Sequence, residues 1–291
     1  MSRKLLREGK LHLLLVYWLI MQSDLGREGI EHSGSYRFAD HLYQGKPSGR
    51  NRLGQWVDAV LLRMRASRAF RRRYLHAQTA MQIALRRHIQ SSPNTPFRVL
   101  AIPCGIPRDI AGLADQLGIE HPDWLARIHY TGVDLDPKVM ELACDFLGDS
   151  GLGRVRLVQA DALDVATYPQ GLYHCAISTG FGEFLTNDEL LDFYRNVHRA
   201  LADNGTFYTS ATRSEPWSES LLKAFELDTH SRSAGELGRL LEAVPWRSLK
   251  LTEDPTGLQT FATAEKSPDS CAVSGLLTPR LGRGWWNRSE P

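Results

Sequence analysis

Apolar residues recur at intervals of three and four through Leu53, Trp56, Val57, Val60, Leu61, Met64, Phe70, Tyr74, Leu75, Met81 and Leu85. That is the spacing of one buried helical face, and it predicts one long helix or two consecutive ones over positions 53 to 90. The run Ser91-Ser92-Pro93-Asn94-Thr95-Pro96 then breaks the pattern and reads as a linker. Beyond it the apolar stretches shorten and alternate with amphipathic ones. Strands are predicted at 98–102, 128–133, 155–158, 173–177 and 206–210, the last after the turn Asp203-Asn204-Gly205, with helices at 109–117, 137–147 and 187–201. Helices at 218–227 and 234–243 and two weaker strands at 248–252 and 259–263 complete the series. Such alternation implies an α/β fold: a doubly wound, mostly parallel, seven-stranded Rossmann-like sheet.

Ahead of the long helix, the apolar run at 11–21 follows a basic stretch and reads as a buried helix, because a bilayer span needs roughly 20 apolar residues. No small-residue cleavage site follows it in Gln22-Ser23-Asp24-Leu25. The polar, glycine-containing stretch 26–54 reads as a long loop with one short helix. The tail from 267, rich in Ser, Gly, Pro and Arg, reads as poorly ordered despite Trp285 and Trp286. The expected organisation is therefore a helical, basic region at 1–97, a Rossmann-like domain at 98–266 and a disordered tail at 267–291.

Composition changes this picture in one respect. With 42% hydrophobic and 23% charged residues the chain is an ordinary globular protein, which excludes collagen, coiled coil and wholesale disorder. Its formal charge of +2 conceals an asymmetry, since positions 1 to 97 hold 17 basic and 6 acidic residues and the remainder 18 and 27. Two electrostatically docked modules or a basic surface for an anionic partner both agree with this. Arg63, Arg65, Arg68, Arg71, Arg72 and Arg73 are read as the solvated side of an amphipathic helix, not as a phosphate track, because no aromatic stacking platform accompanies them. Cys104, Cys144, Cys175 and Cys271 stand apart with no ligand spacing, so neither a zinc site nor a disulfide framework is expected, and a reducing cytoplasm is the expected compartment.

In an open parallel sheet, ligands sit at the carboxyl ends of the strands, and the residues there form a series. After the first strand comes Pro103-Cys104-Gly105-Ile106-Pro107-Arg108-Asp109, a tight turn into a helix where backbone can approach a bound molecule. The second strand ends at Asp134, followed by Leu135, at the distance downstream expected for a carboxylate that accepts ribose hydroxyls. The third leads to Asp161-Ala162, where a carboxylate can meet an exocyclic amine. The fourth leads to Ser178-Thr179-Gly180-Phe181-Gly182-Glu183-Phe184, facing the reacting end of a ligand. Asp136 before Pro137 and Asp161 each have a plainer role as caps.

Over about residues 98 to 264 this series resembles the class I S-adenosylmethionine (SAM) dependent methyltransferases. The resemblance implies SAM as cofactor, with Pro103, Cys104 and Gly105 along the methionine part, Asp134 and Leu135 at the ribose, Asp161 and Ala162 at the adenine, and Ser178, Thr179 and Gly180 beside the methionine end. It also matches Arg199-Ala200-Leu201-Ala202-Asp203-Asn204-Gly205 to the family's turn before strand 5. The sequence departs from the family where an acid and a Gly-x-Gly-x-Gly turn are usual, having Ala101, Pro103, Gly105 and Pro107, so Arg108 or Asp109 is expected to contact the amino-acid end. His174 replaces a common Asp. The stretch from Asp40-His41-Leu42-Tyr43 to Arg71-Arg72-Arg73 also resembles the lead-in of bacterial methyltransferase domains fused to lysophospholipase-like hydrolases.

The expected function is methyl transfer to a small acceptor, anionic or lipid-like, of the kind met in secondary metabolism, with no metal, no nucleic-acid partner and no membrane span. Tyr36, Tyr43 and Glu183 are the catalytic candidates, with His32 and His41 beside them in the acceptor region. The alternative is an enzyme similar to azetidine-2-carboxylate synthases, which cyclises or cleaves SAM with release of methylthioadenosine, an aromatic such as Tyr36 or Phe181 facing the sulfonium. A scaffold or RNA-binding protein of the same fold ranks last.

Overall fold

A computed structural model describes residues 17–31, 36–213 and 230–268. Seven strands form one sheet: β1 (Phe97–Ala101), β2 (Ile128–Asp134), β3 (Arg154–Gln159), β4 (Tyr173–Ser178), β5 (Leu201–Thr212), β6 (Trp246–Glu253) and β7 (Gln259–Lys266). Their order across the sheet is β3-β2-β1-β4-β5-β7-β6, and only β7 runs antiparallel to its neighbours. The chain reverses direction of winding between β1 and β4, which creates the crevice where ligands bind in such sheets. The turn expected at 203–205 is a bulge inside β5: Asn204 adopts φ 59° and the pairing with β4 shifts between Tyr173 and Cys175. Asn tolerates that left-handed backbone better than most residues, so strand pairing resumes beyond it.

The predicted long helix is two, broken at Met64, whose ψ of 153° is extended. Numbering helices in chain order, α1 is Asp24–Glu31, α2 Tyr36–Gln44, α3 Arg52–Arg63 and α4 Arg65–Ser91. The remaining helices are α5 (Arg108–Glu120), α6 (Pro122–Leu125), α7 (Pro137–Leu147), α8 (Asn187–Ala200) and α9 (Ala234–Glu242). Thr186 with Glu189 caps α8 and Ser233 with Glu236 caps α9, each pair satisfying two orphan amides. Asp136 caps α7, accepting from the Lys138 amide at 2.9 Å, as its position before Pro137 predicts.

Two cores flank the sheet. On one face Met81 and Leu85 of α4 and Ile110, Leu113 and Leu117 of α5 pack against Val99, Tyr130, Cys175 and Ile177. On the other, Phe193 and Val197 of α8 and Leu237 and Leu241 of α9 pack against Leu100, Ile102, Ala176 and Phe207. Each fully buried large side chain contributes about 1.5 to 3 kcal/mol before entropy is charged against it.

The stretch 26–54 corrects the expectation of a loop with one short helix: α1 ends and α2 lies within it. Leu25, Leu42 and Leu62 make a third small core with Phe38, Leu61 and Phe70. Fully buried Asp58 knits this unit, accepting from the Ser48 and Gly49 amides at 2.8 Å each, from the Leu25 amide and from the Ser23 hydroxyl. A Cβ on Gly54 would stand 2.1 Å from the Gln22 carbonyl oxygen, so only glycine fits there.

No helix among the described residues is long and apolar enough to cross a membrane. Most of the apolar run at 11–21, the helix predicted at 218–227, His32 and most of the tail, with Cys271, lie outside the described residues.

Candidate functional site

The β1–α5 turn crosses the end of β2, because the Cys104 amide donates to the Val133 carbonyl at 2.8 Å. The Ile102–Pro103 peptide is cis, and Gly105 has φ 53° with no atom within 4 Å of the place a Cβ would occupy. Beside that open space lies Asp134, one oxygen accepting from the Gly105 amide at 3.0 Å and the other from the Asp136 amide at 3.2 Å. Each oxygen retains a further lone pair. Leu135 follows, 64% exposed.

The Ala160 amide donates to the Asp134 carbonyl at 3.1 Å, which brings the start of the β3–β4 connection, just before Asp161, to the end of β2. One Asp161 oxygen accepts from the Leu163 amide at 2.8 Å, the local turn role its position also allowed, and the residue stays exposed. Ala162 turns its methyl into the core, and its carbonyl accepts from the Tyr168 hydroxyl at 2.6 Å. The Cys104 thiol is pushed above its ordinary range by burial and by the Asp134 and Asp109 carboxylates, so it is held protonated.

The altered turn separates Arg108 from Asp109. Arg108 pairs with Asp40 of α2 and lies over the Phe146 ring, 4.9 Å from its centre. Asp109 turns under the turn instead. Its carboxyl accepts from the adjacent Ile110 amide, at 2.8 Å, and from its own amide, no cation pairs with it among the described residues, and burial pushes it up to about 6. It acts electrostatically on Tyr130 and Cys175, which point to the same sheet face as Ala101. The buried Tyr130 hydroxyl has no hydrogen-bond partner.

On the opposite wall, Ser178 is buried, Thr179 and Gly180 are partly so, and Gly180 has φ 78°. A Cβ there would meet the Arg73 guanidinium at 2.6 Å. Arg73 corrects the reading of its arginine run as wholly solvated. It is 3% exposed, donates to the Tyr43 hydroxyl at 3.1 and 3.3 Å and to Glu183 at 3.4 Å, and lies 3.8 Å from the Phe70 ring centre. Burial disfavours its charge, but Tyr43 and Glu183 outweigh that and its pKa is raised. The Thr212 hydroxyl also donates to Glu183. The signal was in the sequence, for position 73 falls on the same helical stripe as buried Ala69 and Ala77.

Tyr43 and Glu183 are thus joined through Arg73. Tyr36 is not: its hydroxyl accepts from neighbouring Arg37 at 3.3 Å. His41 faces Glu28 at 3.4 Å and the Ser48 hydroxyl at 2.9 Å. Phe181 packs edge-on against Phe193 in the core, at 5.3 Å. His174 sits at the opposite end of the sheet, accepting from the Arg98 amide at 2.9 Å; burial, with His88 and Arg98, holds it down to about 4.

Residues 99–205 match the family model of a methyltransferase domain. Among solved structures, the fold is similar to that of a Bordetella parapertussis protein described as a possible exported protein, at TM-score 0.70 and 19% identity over 86% of this chain and 85% of that one. It is also similar to the S-adenosylmethionine-dependent methyltransferase SibL in its apo form, at TM-score 0.50 and 13% identity over 91% of this chain and 76% of that one. No curated protein matches the sequence. The chain has a Rossmann-like fold similar to that of SAM-dependent methyltransferases.

Proposed function

We propose that this protein transfers the methyl group of SAM to a small-molecule acceptor, in the crevice between the carboxyl edge of β1, β2 and β4 and the N-terminal helices. The observation that carries this reading is Asp134: a carboxylate clamped by two backbone amides beside the open space over Gly105. In this assignment Asp134 accepts the ribose hydroxyls, exposed Leu135 lies along the adenine, and the free oxygen of Asp161 takes the adenine amine. Pro103, Cys104 and Gly105 present backbone to the methionine part, with Ser178, Thr179 and Gly180 opposite. Asp109 serves the ammonium in place of an acid at Ala101, since Arg108 is committed to Asp40.

SAM, when bound, supplies a methyl already activated by the sulfonium, so the protein's share is alignment and exclusion of water. Tyr43 accepts two hydrogen bonds from Arg73, which leaves its own proton to donate, and it would orient the acceptor. Glu183, held by Arg73 and Thr212, braces that arrangement.

The test is calorimetry of SAM binding to Asp134→Ala. Loss of a charge-assisted pair of hydrogen bonds predicts a deficit of roughly 1 to 3 kcal/mol, and unchanged affinity would displace the pocket from this edge. Incubation with SAM alone should leave it intact; methylthioadenosine would mean that SAM is itself the substrate.

A further inference from the structure

Doubly wound sheets ordinarily carry helices on both faces. Here α4, α5 and α7 cover one face, α8 and α9 cover the other over β4, β5 and β7, and the β3–β4 connection contributes only the single turn Val165–Thr167. Among the described residues, the second face of β2 and β3 and the amino end of β1 are therefore left without a helix, and the strands there change character.

Pairing in register places Arg154, His129 and Arg98 in one row across the three strands, and Arg156 and Thr131 in the next. Rows on one face are about 6.6 Å apart and neighbouring strands about 4.8 Å, so these long side chains can converge on one anion. His129 is held below its ordinary pKa by burial and then by Arg98 and Arg154, which attests to their proximity. Toward the carboxyl edge the rows turn apolar, with Val158 beside Val133. The connection lies over this end and leaves a half-open cleft of about 420 Å³, with Ala160, Ala166 and Pro169 as walls and Thr131, Thr167 and Arg156 among its polar groups. The acid on its rim, Asp164, is occupied by the Ala166 amide at 2.8 Å.

We infer that this face is a second binding site, distinct from the SAM crevice, for a phosphate monoester with a compact apolar or aromatic body. The dianionic head meets Arg154, Arg156, Arg98 and Thr131, and the body enters the cleft over Val133 and Val158. Several cations against one committed acid match a dianion better than a carboxylate. The cleft is of a size that takes a small ligand. The chain's own tail is a poor occupant, because residues 269–291 carry three arginines against two acids.

The test is calorimetry with phenyl phosphate, inorganic phosphate and phenol, each titrated into the full chain at low salt. Phenyl phosphate should bind roughly tenfold or more tighter than inorganic phosphate, and phenol alone weakly. Exposed Arg156→Glu should lower phenyl phosphate affinity at least roughly tenfold with an unchanged thermal midpoint, and Ala166→Trp should abolish the preference over inorganic phosphate. Asp134→Ala should bind phenyl phosphate normally, which separates this site from the SAM crevice. No binding of phenyl phosphate, equal affinity in Arg156→Glu, or binding only of a long polyanion such as heparin would overturn the inference.

Discussion

Substituting Asp109 by Asn should make the protein more stable and a poorer binder of SAM at once. Burial raises this carboxyl from 3.8 to about 6, a displacement near two units, which corresponds to about 3 kcal/mol. For an acid whose folded pKa is raised, ionisation favours the unfolded chain, so stability is full below pH 4, falls between about 4 and 6 and stays reduced above. Asn removes that cost while its side-chain oxygen continues to accept from the Ile110 amide. The expected gain at pH 7.5 is therefore at most about 3 kcal/mol, vanishing at pH 4, or roughly 2 to 4 °C in thermal midpoint for each kcal/mol. Binding should move the other way, since an ammonium brought to Asp109 lowers its pKa, and wild-type protein should release a fraction of a proton on binding SAM near pH 5.5. Scanning calorimetry at several pH values and titrations in buffers of different ionisation enthalpy read both effects. If Asp109→Asn loses stability at pH 7.5, the carboxylate has a structural partner. If it gains stability and binds SAM with unchanged affinity and proton release, the ammonium lies elsewhere. Moving the acid, by Ala101→Asp with Asp109→Ala, should recover SAM affinity.

Gly180→Ala should destabilise the protein by more than 1 kcal/mol in urea unfolding, because φ 78° disfavours a side chain and the new methyl would press on a buried guanidinium; a neutral result would show that the Arg73 junction is loose. His174, held to about 4, binds its proton more weakly folded than unfolded, so it costs stability as pH falls from 6.5 through 4. His174→Asn, which can still accept from the Arg98 amide, should flatten acid denaturation in that window, and an unaltered pH–stability curve would assign the acid sensitivity to other groups.

The sheet was legible from the chain because the hydrophobic period changes from helical to strand-like at Phe97 and because each strand is followed by its own turn signal. The places of Asp134 and Asp161, at the end of β2 and just after β3, were legible for the same reason, since the end of a parallel strand fixes where the next residues lie. The helices at 24–44 were not, because their small core needs only Leu25, Leu42 and Leu62 from three separate segments. Arg73 was hidden by its chemistry: a charge in a run of charges is expected in water, although its partners come from positions 43 and 183. The uncovered face was written in the alternation of Arg154, Val155, Arg156 and Leu157, which reads as an ordinary strand until its neighbours are known.

The Arg73 junction has a consequence for how such a protein diversifies. Its cation is on α4, its two oxygen partners on α2 and after β4, and glycine at 180 gives it room. Breaking such a buried pair by removing one partner costs on the order of 3 to 5 kcal/mol. A chimera cut at the linker after α4 would therefore inherit a mismatched seam unless positions 180 and 183 travelled with the graft. The first 91 residues are not a cartridge exchangeable for new substrates, and variation that preserves folding is channelled to side chains around the junction.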